Sequence, residues 1–134
     1  MNTAQQTQPW TPATTPATGR ALPHTIALWT LSAAAAAMFL MAGWGKLSGA
    51  PQMVGLFDLI GVGQWFRYVT GGIEVLGAVA LFVPAVALYG ALALAATMVG
   101  AVITHLTIIG DAPTIPVVLL AVTAFIAWSR GSRQ

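Results

Sequence analysis

Residues 64–109 read "QWFRYVTGGIEVLGAVALFVPAVALYGALALAATMVGAVITHLTII". The stretch is predominantly apolar over 46 residues and carries no Asp, Glu, Lys or Arg after Glu74. As one helix it would be about 69 Å long at 1.5 Å per residue, more than twice the roughly 30 Å of a bilayer's hydrocarbon core. It must therefore double back. Pro84 is the strong breaker near its middle, because proline lacks the amide donor and its ring collides with the preceding helical turn. A tight hairpin there gives two spans, about 64–83 and 85–109.

Two further spans flank this hairpin. One covers about 24–45, with Pro23 in a first-turn position and with the small-residue run "SAAAAA" (Ser32–Ala37) offering a surface for close packing. The other covers about 114–129 and begins around "DAPTIP". The expected fold is thus all-α, an integral membrane four-helix bundle with both termini on the same side. Residues 24–134 form the transmembrane domain. Ahead of it, residues 1–23 are rich in Thr, Pro, Ala and Gln, cannot build a core, and are expected to be a disordered tail.

Composition supports the bilayer as solvent. The chain of 134 residues is 57% hydrophobic and 6% charged, against about 25% charged in an average soluble domain. The net charge of +2 includes no Lys/Arg cluster that could follow a phosphate backbone, which excludes nucleic acid as a partner. With no cysteine, disulfides, thiol relays, iron–sulfur ligation and covalent haem attachment are excluded. Two histidines provision a metal site poorly, and none is expected.

Trp and Tyr favour the two membrane interfaces. The four spans place Trp29, Tyr89 and Trp128 toward the termini, and Trp44, Trp65 and Tyr68 toward the opposite side. Arg20, Arg130 and Arg133 lie on the termini side against Lys46 and Arg67 opposite, so the positive-inside rule places the termini in the cytoplasm.

Placed by depth, Lys46, Arg67, Glu74, His105 and Asp111 all fall in the half of the bundle away from the termini. A carboxylate at a helix centre costs about 2.5–3.5 kcal/mol to insert, so Glu74 should face the bundle, with Lys46 its nearest partner. Arg67 shares its helical face. Two readings follow. The cluster either lines a polar pocket with Glu74 as its floor, where Glu74, Lys46 and His105 bind a ligand or exchange protons, or it pins helices together. Gly71 and Gly72 carry the same choice between helix packing and room for a flat ligand. In the connector "LSGAPQMVGLFDLIGVG", Pro51 starts a short helix and Gly61 and Gly63 end it. Its Met53, Leu56, Phe57 and Ile60 suit either a lid over the pocket or a segment resting on lipid.

"FLMAGWGKLSG" (Phe39–Gly49) resembles the first-helix signature of the DoxX-like family. "GGIEVLGAVALF" resembles that family's second-helix G-x-x-E motif, and "MVGAVITH" (Met98–His105) its third-helix pattern of Met, small residue and His. The resemblance covers about residues 24–130 and carries the family's marked positions onto Gly43, Lys46, Glu74 and His105. It implies a small multi-pass protein of the bacterial inner membrane. Some relatives are associated with thiosulfate–quinone oxidoreduction, others with oxidative-stress complexes or the assembly of partner proteins. The resemblance therefore implies an accessory or ligand-binding subunit of membrane redox processes, with a quinone as candidate ligand.

A membrane or periplasmic redox protein is then the expected partner beside the lipid bilayer, and self-association is left open. Independent catalysis is not expected, because no nucleophile–base pair or metal set is visible. The alternatives are a small proton-coupled transporter working through Glu74, and an assembly scaffold without ligand. Arg67, Asp111, Gly43 and Gly71 are secondary site candidates.

Overall fold

The structure, a computed structural model, describes residues 21–132. They form five α-helices rather than four: α1 (Ala21–Leu47), α2 (Pro51–Ile60), α3 (Gln64–Ala80), α4 (Ala87–Thr104) and α5 (Thr114–Gly131). The additional helix is the short connector α2. A π-helical turn, His105–Ile109, continues α4. Among the described residues no strand occurs. The greater part of the tail, 1–20, lies outside the described residues. Its last three positions, 21–23, belong to α1, with Pro23 in the first turn, where a missing amide donor costs nothing.

Each long helix buries one stripe. On α1 the stripe is Leu28, Ser32, Ala35, Ala36, Phe39 and Gly43, a mixed three- and four-residue spacing that keeps one face toward its neighbours. On α3 it is Arg67, Gly71, Glu74, Gly77 and Ala78, and on α4 Ala87, Gly90, Ala91, Leu94 and Met98. The centre is filled by Phe39, Leu81, Leu94 and Ile126. Leu76, Leu92, Val99, Leu106 and Val118 point outward and are exposed. A soluble protein would cover such surface, whereas a bilayer solvates it.

Among the described residues, three helical segments are long and apolar enough to cross a membrane: Leu22–Leu47, Ala87–Ile109 and Thr114–Gly131. The α3 helix is shorter than the 64–83 span expected, and stops at Ala80. Pro84 explains the stop, since its ring would collide with the carbonyl four residues earlier, that of Ala80. The chain instead turns through 81–86 before α4 begins.

The long helices pack in a ring, with α1 against α3 and α5, and α4 against α3 and α5. At one end of the ring, Trp29 of α1 stacks on Phe82 with ring centroids 6.3 Å apart. The Arg130 guanidinium of α5 lies 5.0 Å over Trp29 and donates a hydrogen bond to the Leu81 carbonyl at 3.4 Å. The start of α1, the end of α5 and the α3–α4 turn therefore meet. The other end holds Lys46, Asp58, Arg67, Glu74, His105 and Asp111.

Candidate functional site

The α1–α3 crossing sets the site. A methyl group added at Gly43 would lie 2.8 Å from Val75 Cγ2 and 2.9 Å from the Gly71 carbonyl oxygen. One added at Gly71 would lie 2.9 Å from Lys46 Cβ. Only glycine allows backbones this close. The approach brings Lys46, in the last turn of α1, onto Glu74. Its Nζ donates to Glu74 Oε1 at 3.0 Å and Oε2 at 2.8 Å, and the Glu74 side chain is 2% exposed. A buried carboxylate tolerates such a position only when paired.

Arg67 has a different task. It is buried, and its Nε donates to Gln64 Oε1 at 2.6 Å. One terminal nitrogen donates to the Lys46 carbonyl, satisfying one of the orphan acceptors at a helix C-terminus. Gln64 donates in turn to the Val54 carbonyl at 3.0 Å and to Asp58 Oδ1 at 2.7 Å. A chain of hydrogen bonds thus runs from α2 through Gln64 and Arg67 to the backbone of Lys46. Gln64 and Asp58 carry no signal in the sequence that marks them for this, because their partners lie across the Gly61–Gly63 turn.

Around the ion pair lies a cavity of about 720 Å³, within the roughly 300–1,000 Å³ usual for small-molecule sites. Lys46, Glu74 and His105 all line it. So do Met53, Leu56, Phe57 and Ile60 of α2, so the apolar face of the connector turns onto the cavity. Arg67, Asp111, Gly43 and Gly71 are not part of the wall. Arg67 caps α1, the two glycines close the helix crossing, and Asp111 acts through His105.

His105 opens the π-helical turn, whose end is tied by the Gly110 amide donating to the His105 carbonyl at 2.8 Å. Single π-turns of this kind recur at functional sites. Gly110 adopts φ 77°, a left-handed conformation that reverses the chain. Asp111 is thereby brought back to His105, with Nδ1 and Oδ1 2.6 Å apart. The carboxylate favours the tautomer with the proton on Nδ1 and leaves Nε2 unengaged by Asp111. Asp111 is largely exposed and His105 partly so, so this pair runs from the cavity wall outward.

A family model described as the DoxX-like family matches residues 30–127, nearly the whole helical region. The chain belongs to the DoxX-like family. The matched region contains every polar residue of the cavity wall. No curated protein and no solved structure matches the chain. In this DoxX-like protein the whole cavity wall, from Phe39 to Leu119, lies within the matched region.

Proposed function

We propose that this DoxX-like protein is an accessory subunit of the bacterial inner membrane that binds a lipophilic, quinone-type ligand and serves a membrane or periplasmic redox partner. The observation that carries this reading is the cavity itself, an apolar chamber with Lys46–Glu74 and His105 as separate polar poles. Its residues fit a quinone. The Lys46 ammonium has three donors and uses two contacts on Glu74, leaving one for a ligand carbonyl oxygen. His105 Nε2, with Nδ1 held by Asp111, suits a ligand hydroxyl or a proton passing outward. When bound, a quinone would supply the two-electron, two-proton chemistry that the chain's own side chains lack. A transporter exchanging protons for cations fits less well, because the Lys46 ammonium lies 2.8 Å from Glu74 and repels a cationic substrate.

In this reading α1, α3, α4 and α5 all cross the bilayer, and both termini lie on the cytoplasmic side. Support comes from the six interface aromatics, Trp29, Tyr89 and Trp128 with Trp44, Trp65 and Tyr68, all of which are exposed. Further support comes from the meeting of Trp29 and Arg130 at one end. The positive charges favour the same orientation.

Photoaffinity labelling tests the ligand reading. A photoreactive quinone with an alkyl tail should label α2, α3 or α4 peptides that line the cavity, and excess decylubiquinone should suppress the labelling. Labelling spread over outward residues such as Leu76 and Leu92, unaffected by competitor, would mean that the quinone only partitions into surrounding lipid.

A further inference from the structure

Near the Pro84 turn, α3 and α4 are locked together. A methyl group at Gly77 would lie 2.8 Å from Leu94 Cγ, and one at Gly90 2.7 Å from Ala80 Cβ and 3.0 Å from the Gly77 carbonyl oxygen. Farther from the turn this closure is lost. Ile73 of α3 and Ala93, Ala96 and Gly100 of α4 all line the Glu74 cavity, yet all four are exposed at the protein surface. A methyl group added at Gly100 would meet nothing within 4 Å. The cavity is therefore open sideways, within the apolar length of α4, through a gap whose α4 edge is built of alanine and glycine.

A second groove, of about 320 Å³, runs between α1 and α5 and is lined by Leu31, Met38 and Val118 among others. It shares Ile115 and Leu119 with the cavity wall, and no ionisable residue lines it among the described residues. Among the described residues, only the α3–α4 gap is edged by residues of the same chamber as the ion pair and yet faces outward on both helices.

We propose that the α3–α4 gap seats the apolar tail of the ligand whose polar head meets Lys46 and Glu74. The ligand class is then a tailed amphiphile that arrives laterally from the bilayer, not a compact molecule from the aqueous side. This rests on the ligand reading above and extends it. The physical reason is continuity of solvent: the tail passes from lipid to the gap without exposing methylenes to water, while the head exchanges hydrocarbon for donors and acceptors it can use. The commitment is to the tail of the same ligand. A phospholipid acyl chain in the gap is an outcome that the test separates.

The test is native mass spectrometry of the full chain in mild detergent with decylubiquinone or with its tailless head group, 2,3-dimethoxy-5-methyl-1,4-benzoquinone. Ala96→Phe fills the gap, and Val118→Phe places the same ring in the α1–α5 groove. The Ala96→Phe variant should lose the decylubiquinone adduct about tenfold or more, the scale set by keeping about two tail methylenes out of the gap, and keep the tailless one. Val118→Phe should keep both. Gly100→Leu, whose added side chain starts in open space, should repeat the Ala96→Phe result.

Undiminished decylubiquinone binding in Ala96→Phe, or loss in Val118→Phe instead, overturns the tail seat and leaves the ligand reading standing. Loss of the tailless quinone in both Ala96→Phe and Gly100→Leu also overturns it, since the gap would then belong to the head group. A phospholipid adduct that Ala96→Phe alone removes, with decylubiquinone unaffected, assigns the gap to lipid and overturns it too. If wild type takes up neither quinone, both readings fall.

Discussion

Lys46→Met is expected to destabilise the bundle by about 3–5 kcal/mol, the usual cost of removing one partner from a buried ion pair. Glu74 is left with its 2%-exposed carboxylate and without its donor, and Nζ is the only partner that reaches it among the described residues. The double variant Lys46→Met/Glu74→Leu should recover most of that loss, because two apolar groups of similar size replace a pair whose desolvation offsets much of its attraction. Reversible unfolding in mixed micelles would measure both. The double variant also separates the two readings of the pair. If it folds and supports function as wild type does, Lys46 and Glu74 only fix helix register and the protein is a scaffold.

The second large effect concerns two glycines that are neighbours in sequence. Gly71→Ala should cost about 1–3 kcal/mol, the range for overfilling a packed contact. Its new methyl group would press 2.9 Å from Lys46 Cβ and 3.2 Å from the Gly43 carbonyl oxygen. Because a backbone atom is involved, the helices must separate, and Lys46 moves with α1. Gly72→Ala should be neutral or stabilising by about 0.5–1 kcal/mol, since alanine is the better helix former and nothing lies within 4 Å of the new methyl. Thermal unfolding of the two variants side by side checks this. Equal effects would mean that α1 and α3 do not cross at Gly71.

Why some of this was legible in the sequence, and some not, follows from the kind of interaction. The hairpin at Pro84 was readable because a bilayer limits helix length and proline breaks the helix. The pairing of Lys46 with Glu74 was readable because a carboxylate at that depth demands a partner. That Met53, Leu56, Phe57 and Ile60 share one face of α2 follows from helical spacing, but spacing leaves open whether that face meets lipid or, as in the structure, the cavity.

The roles of Gly43 and Gly71 were not readable, since glycine serves equally for space and for contact. Arg67 looked like a member of the pocket, but its partner is the backbone carbonyl of Lys46, and every residue has such a carbonyl. No residue pattern announces that choice. The end of α3 at Ala80 depends on where the ring of Pro84 collides, a detail finer than the span count. The lateral gap depends on how two helices diverge from a glycine contact, which side-chain periodicity does not encode.

Native mass spectrometry of gently extracted protein, wild type beside Glu74→Gln, bears most directly on whether the cavity is a ligand site. The expected result is a small lipophilic adduct on wild type that is lost from Glu74→Gln, with both proteins folded alike. No adduct on either folded protein, or one that Glu74→Gln retains in full, would contradict a ligand site at Glu74.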